Sequence, residues 1–394
     1  MSNKFAEFFD IEVPTIDDAR RRFVENMDML KEMSVQEQTL YKKWKELNGN
    51  YTHKLDMSRV TKAKIWTPTD IMNKETTIRE LEDLQPEIIH VTPGSEEDKD
   101  WLMLRVFTST FNFDQNPGRF VKFLVRDKVT QKYLGVVSLG SDVISIGCRD
   151  EWIGWDKDVK LGGKLNNSAI GTCIVATQPF GYNFLGGKLA AALLTTNSVA
   201  KIWEDAYDDV LVGLTTTSLY GSASMYNSIP FWKKLGKSKG AIALKPDDDV
   251  YEEWHTWVKE NLSNEYHEKI KSKSGDSGPP TGIKQQILNI IFREVGVSQS
   301  KYKHGFERGV YYAVRYENAR EFLRGEIQKE DLIPLKKLDK DVDAVLDWWR
   351  PKAISRYERL YDEGRLNPNI LYYNTLVQMS WEDAKKRYLN DVGR

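Results

Sequence analysis

Apolar and polar positions divide the chain into a helical N-terminal stretch, a mixed central region and a helical C-terminal stretch. In IDDARRRFVENMDMLKEM (16–33) and VQEQTLYKKWKELNG (35–49) apolar residues recur every three or four positions, which predicts two amphipathic helices. Thr15 or Asp17 suits the cap of the first, and Gly49 suits the stop of the second. Residues 51–77 keep no clean period and read as an extended arm. At Pro86 the pattern changes. EIIHVTP (87–93) reads as a strand and SEEDKDWLMLRVFTSTF (95–111) as a helix capped by Ser95. RFVKFLVRD (119–127) and YLGVVSL (133–139) read as a hairpin.

The stretch 135–240 predicts strand, polar insertion, strand, glycine turn, helix, strand and second helix. Its pieces are GVVSLGSDVISIG (135–147), the insertion RDEWIGWD (149–156) and the strand-bearing KLNNSAIGTCIVATQPF (164–180). GYNFLGGKLAAALLT (181–195) supplies the turn and helix, and VLVGLTTTS (210–218) the next strand. In YGSASMYNSIPFWKKLGKSKG (220–240) a small-residue turn feeds a helix that stops before LGKSKG. This order predicts a mixed α/β (α+β) fold around a split sheet. A dinucleotide fold is disfavoured, since no GxGxxG precedes a helix with an acid about twenty residues on.

Beyond the core, VYEEWHTWVKENLSNEYHEKIK carries an apolar stripe of Tyr251, Trp254, Val258 and Leu262, read as one helix within 247–274. SGDSGPPTG (274–282) reads as a linker, followed by a buried-type helix over 284–297 and further helical segments at 341–364 and 380–393. The expected organisation is a helical extension over 1–85, a core over 86–246 and a helical region over 247–394.

Composition narrows the classes. A net charge of −1 over 394 residues leaves nucleic-acid binding to a local patch and not to bulk electrostatics. The cysteines, Cys148 and Cys173, are too few for a disulfide framework or a cysteine zinc site. The five histidines are scattered singly, so no metal is expected. Without a long apolar run, the expectation is a soluble cytoplasmic protein with no membrane partner.

Several groups carry candidate chemistry. Gly181, Gly186 and Gly187, with Lys188 opening a helix, suit either anion binding through amides or close helix–strand packing. The turn lacks the GKS/T ending of a nucleoside-triphosphate loop. Trp152 and Trp155 suit either stacking on a planar substrate or plugging a sheet end. Asp150, Glu151 and Asp156 suit a base, a residue that orients one, or solvated loop acids. Asn166, Asn167 and Ser168 suit reading a base edge or making a turn. Tyr226 suits a proton donor to a leaving thiolate or a core aromatic. Near the C-terminus, Trp348, Trp349, Arg350, Arg356, Tyr357, Arg359, Tyr372, Tyr373, Lys385, Lys386 and Arg387 suit either a backbone-tracking patch or ordinary amphipathic helices.

Taken together, RDEWIGWD, LNNS before a strand, and TTTSLYGSASMYNSIPFWKKLGKSKG resemble the DruA family of Druantia anti-phage systems, over residues 118–243. Arg149, Asp150, Trp152, Gly154, Trp155, Asn166, Asn167, Ser168, Gly221, Tyr226, Trp232, Leu235 and Gly236 fall on that family's pattern. Ala169 stands where the family often has arginine, and Ala223–Tyr226 loosens a cysteine-tyrosine-arginine run. The resemblance implies a core similar to the N-acetyltransferase fold and to Mom-type phage proteins that modify adenine in DNA. It therefore implies a phage- or defence-associated acyltransferase-like protein acting on DNA with an acyl-CoA-type donor, in the host cytoplasm alongside protein partners of the same system. On that reading Gly181, Gly186, Gly187 and Lys188 hold the donor's phosphates, and Tyr226 protonates the leaving group. Asp150 or Glu151 orients or deprotonates the amine, and Arg149, Trp152, Trp155, Asn166, Asn167 and Ser168 contact the substrate. The alternative it leaves open is a non-catalytic nucleic-acid-binding or assembly module.

Overall fold

The computed structural model describes residues 15–49, 52–109, 118–218, 224–238, 242–274, 280–304, 308–336, 341–368 and 373–392. The chain divides into two compact units, residues 1–42 with 240–306, and residues 43–239 with 307–394.

The first unit is mainly helical. Helix α1 (Ile16–Glu32) opens with a reciprocal capping box between Thr15 and Asp18, and it buries Ala19, Phe23, Met27 and Leu30 along one stripe. Helix α2 (Val35–Asn48) carries the chain into the second unit. The other helices of the first unit are α10 (Asp248–Asn261), α11 (Ser263–Ser274) and α12 (Pro280–Val295), with the two-stranded pair β7 (Ile242–Ala243) and β8 (Lys303–His304). Phe23 is the hub of this core, edge-on to Trp254 at 6.2 Å and to Phe292 at 5.2 Å. The single helix expected over 247–274 is two, because Leu262 leaves helical dihedrals at φ −124° and ψ 40°. Residues 275–279 of the expected linker lie outside the described residues.

The second unit is the α/β part. Its helices are α3 (Lys74–Asp83), α4 (Glu96–Thr108), α5 (Gly147–Ile153), α6 (Lys157–Leu161), α7 (Phe180–Asn183), α8 (Gly186–Leu193), α9 (Asn197–Tyr207), α13 (Ala319–Leu323), α14 (Val342–Asp362) and α15 (Trp381–Val392). Its strands are β1 (Pro86–His90), β2 (Phe120–Asp127), β3 (Tyr133–Ser141), β4 (Ser168–Ala176), β5 (Gly213–Ser218), β6 (Lys233–Lys237) and β9 (Gly309–Val314). They form one mixed sheet in the order β1-β2-β3-β4-β5-β9-β6. Strand β3 is buried along almost its whole length, as its unbroken run of apolar and small residues requires of a strand covered on both faces. In α4, Ser95 caps the Asp98 amide at 3.2 Å and three acids fill the first turn, as the sequence predicts.

The sheet changes character at one place. Neighbouring strands are antiparallel except β4 and β5, which run parallel and pair only at Ser168–Gly213, Ala169–Leu214 and Ile170–Thr215. A parallel pair needs a crossover, and α7, α8 and α9 supply it. Beyond those three pairs the two strands part company. The residual link is a long contact from the Thr216 hydroxyl to the Gly171 carbonyl at 3.4 Å.

Three local expectations are corrected. RDEWIGWD is not a loop: its first half is helix α5, ended by Gly154 in the left-handed region at φ 78° with its amide on the Asp150 and Glu151 carbonyls. The helix expected after Tyr220 is absent among the described residues, since 224–232 are turns and irregular backbone and 233–237 is strand β6. The arm over 51–77 contains short 3-10 turns at Thr52–Lys54 and Met57–Arg59 and the start of α3.

Candidate functional site

Three sequence segments far apart in the chain meet at one buried carboxylate, Asp142, just past the end of β3. Its Oδ1 lies 2.6 Å from Arg149 Nη1 of α5, and both side chains are 0% exposed. Its Oδ2 accepts from Ser168 Oγ at 2.5 Å and from Thr215 Oγ1 at 2.7 Å, joining the first residue of β4 to the middle of β5. The Tyr312 hydroxyl of β9 lies 3.2 Å from Ser168 Oγ, and burial pushes its phenol well above its ordinary value. Two charges without water are tolerable only when paired and hydrogen-bonded: Asp142 accepts from both hydroxyls and the Val143 amide, while Arg149 Nη1 is held by the ion pair alone.

The helix α5 motif surrounds this pair. Arg149 also donates to Asp150 Oδ1 at 2.7 Å and to the Val143 carbonyl at 2.7 Å, and its guanidinium lies 5.0 Å from the Trp155 ring. Lys160 of α6 takes the other oxygen, Asp150 Oδ2, at 2.7 Å. Both Asp150 oxygens are thus held by cations, while Glu151 beside it is exposed. Trp155 donates its indole N–H to the Leu323 carbonyl at 2.6 Å and packs against the cluster of Ile153, Val212 and Phe322. Trp152 packs on Tyr312 at 5.7 Å, with Lys233 Nζ at 5.1 Å and the Arg320 guanidinium at 5.2 Å from its ring.

The Asn-Asn-Ser run divides its tasks. Asn167 is buried; its amide donates to the Val210 carbonyl at 2.9 Å and its carbonyl accepts from the Val212 amide at 2.8 Å. It fixes where β5 enters beside β4. Asn166 is exposed and its carbonyl accepts from Arg119 at 3.4 Å. Ser168 belongs to the Asp142 cluster.

On the other face of the sheet stands Tyr226. Successive strand residues point to opposite faces, and in β9 Tyr312 faces the Asp142 cluster while Tyr311 packs on Tyr226 at 5.2 Å. In β5 the same alternation sends Thr215 to Asp142 and Thr216 to the Tyr226 hydroxyl at 3.3 Å. Tyr226 is 6% exposed, and burial holds its phenol protonated far above neutral pH. The carboxylates Asp150 and Glu151 and the phenol of Tyr226 are therefore not brought together. Cys173, deep in β4, is also buried, which pushes its thiol up to about 12 and leaves it inert.

The glycine turn enters α8 through Leu185 in the left-handed region at φ 55°. A Cβ on Gly186 would stand 2.4 Å from the Phe180 ring, and one on Gly187 would stand 2.8 Å from Met225 Sδ. A Cβ on Gly181 would stand 2.8 Å from the Gln178 amide nitrogen. Close packing thus demands glycine at 186, whereas the side-chain ends facing Gly181 and Gly187 can give way. Lys188 donates to the Asn227 carbonyl at 2.5 Å, and its pKa is lowered by burial and by Lys352.

The C-terminal aromatic and basic residues divide: some turn inward, while Arg359, Lys386 and Arg387 are exposed. Trp349 and Tyr357 are fully buried, and Arg350 donates to the Leu81 and Leu84 carbonyls, so these members cannot meet a nucleic acid. Tyr372 lies outside the described residues. Among the described residues no group of three or more His, Cys, Asp or Glu side chains is placed to hold a metal, and no helix is long and apolar enough to cross a membrane.

Sequence reasoning singled out Arg149 and Ser168 but missed Asp142, Thr215 and Tyr312. The signal for Asp142 was an acid set directly behind the unbroken apolar run of β3.

Residues 40–325 match the family model described as Druantia protein DruA. The chain is 26% identical over 261 residues to the Druantia protein DruA of Escherichia coli (strain UMEA 4076-1), which covers 61% of this chain and 62% of that relative's length. No solved structure matches.

Proposed function

We propose, from the premise that this chain belongs to the Druantia protein DruA family, that it is a phage-defence component whose split sheet holds an acyl-CoA-type donor for transfer to an amine on DNA. The observation that carries this reading is the parting of β4 and β5 after three parallel pairs, with the Tyr226 hydroxyl 3.3 Å from Thr216 at the fork. Past the fork, β4 keeps β3 on one side and has no strand partner on the other among the described residues. Backbone groups there need hydrogen-bond partners, and an amide-bearing donor arm offers them.

The residues fit such a donor in part. The Gly186 and Gly187 amides open α8 at its positive end, which suits phosphate, while the Lys188 amide already donates to the Leu185 carbonyl at 3.0 Å. The Cβ sides of Gly186 and Gly187 are taken up by Phe180 and Met225, so the turn offers its amides and not a hollow. When bound, the donor supplies an activated acyl carbonyl. In this reading the Tyr226 phenol would give its proton to the leaving thiolate as the C–S bond breaks and take back the proton that the acylated amine sheds. Asp150, held by Arg149 and Lys160, acts in this reading by fixing α5 on the opposite face. Glu151, Trp152 and Asn166, the more open members of that face, are the ones left to meet DNA.

A second reading, a nucleic-acid-binding or assembly module without catalysis, is favoured by the separation of Tyr226 from Asp150 and Glu151 across the sheet. Calorimetric titration of the purified protein with acetyl-CoA and with free CoA divides the two. The first reading expects binding by the wild type and by Tyr226→Phe, with acyl transfer to DNA falling by about 10²-fold or more in the variant. No heat with either ligand from a folded protein overturns the donor site and leaves the second reading.

A further inference from the structure

We infer that the edge strand β6 and the Trp152 corner beside it form the surface that grips the phosphate backbone of DNA; the inference rests on the reading that this chain acts on DNA. Strand β6 closes one end of the sheet, and three of its five residues are lysines with no acid among them. Lys233 and Lys234 are exposed and pair across to Tyr312 and Tyr311, so they project to opposite faces of the sheet edge. Lys233 reaches over Trp152, and Arg320 of α13 reaches over the same ring at 5.2 Å. Arg308, just before β9, has a buried Nε without a hydrogen-bond partner, and burial lowers its pKa.

What marks these cations is their setting, since Lys233 and Arg320 meet over one tryptophan ring beside a lysine-rich edge strand. Some basic side chains of this unit are matched, Lys122 with Asp98, Arg126 with Glu87, Arg119 with Asp209 and Arg324 with Glu326, while Lys128, Lys157 and Lys352 are exposed with no ion pair among the described residues. Among the described residues Lys233, Lys234, Arg308 and Arg320 have no carboxylate within ion-pair distance. In a chain whose total charge is −1, unmatched cations gathered at one edge form the local patch that phosphate binding requires. The patch is also anchored. A glycine with φ 155° at Gly236 breaks the β6–β9 register and brings the strand against Cys148 of α5, where a Cβ would stand 3.3 Å from the Cys148 Cβ. Trp152 holds two cations in place by cation–π contact, so less side-chain freedom is lost when they meet phosphates.

The test is fluorescence-anisotropy titration of the full chain with a short labelled duplex and with its single strand, across ~50 to ~200 mM salt. It compares the wild type with Lys233→Gln/Lys234→Gln and with Arg320→Gln, each checked for an unchanged melting temperature. The double variant is expected to lose about tenfold or more in affinity and to lower the salt slope by about two, and Arg320→Gln to lower it by about one. Wild-type binding with unchanged affinity and slope in both variants overturns this surface while leaving DNA as the target. Absence of binding by the wild type overturns the surface and the DNA reading together, and acetyl-CoA titration of the same samples still reports on the donor site. Lysines on an edge strand also discourage edge-to-edge pairing. If that is their whole role, the double variant self-associates in sedimentation with its DNA affinity unchanged, which likewise overturns the inference.

Discussion

Asp142 shows how the physical role of a residue follows from its partners. Its two oxygens take a buried guanidinium and two hydroxyls drawn from α5, β4 and β5. Asp142→Asn leaves Arg149 buried with only Asp150 as a charged partner and is expected to cost about 3–5 kcal/mol in urea unfolding. Glu151→Gln, on the exposed side of the same helix, is expected within about 0.5 kcal/mol of wild type. Equal small losses in both would mean that the cluster is not what joins the motif segments. The family pattern at Arg149, Asn167 and Ser168 is thus explained by packing and pairing, since all three are buried and engaged. Glu151 and Asn166 are exposed and Trp152 half-buried, so these three are the pattern's more open side.

At the scale of elements, the turn into α8 makes a sharp comparison. Gly186→Ala would drive a methyl into the Phe180 ring and the Ala176 Cβ, at 2.4 Å and 2.9 Å, and overpacking of this kind costs about 1–3 kcal/mol. Gly147→Ala, where a Cβ meets nothing within 4 Å, is expected to be neutral or slightly stabilising because alanine favours the helix. Thermal melts of the two variants check both values, and equal destabilisation would contradict the packing account. The strands β1 to β5 and the helix α4 were legible because their apolar runs and caps agree with their surroundings. Strand β6 was not, because an edge strand needs little apolar surface and KKLGK carries none of the usual alternation. Strand β9 was not recognised either: GVYYAV is short, and its partners β5 and β6 lie far back in the sequence. The α5 helix was obscured by its charges, of which Arg149 turns inward through a pairing that no local pattern announces.

At the scale of the whole chain, sheet order places the fork between β4 and β5 near the centre, with the Asp142 cluster on one face and Tyr226 on the other. The family region, residues 40–325, contains all seven strands of this sheet. The mixed α/β sheet was anticipated from the alternation of elements, whereas the separation of the candidate acids from Tyr226 was not, since sequence spacing says nothing about which face a strand residue takes once a loop has intervened. The most direct test of the central claim is amide hydrogen exchange of the full chain with and without saturating acetyl-CoA. The account predicts slowed exchange confined to residues 171–176 of β4, the fork at 216–218 and the first turn of α8 at 186–188. Unchanged exchange in those three segments, with or without protection elsewhere, would contradict the split sheet as a donor site.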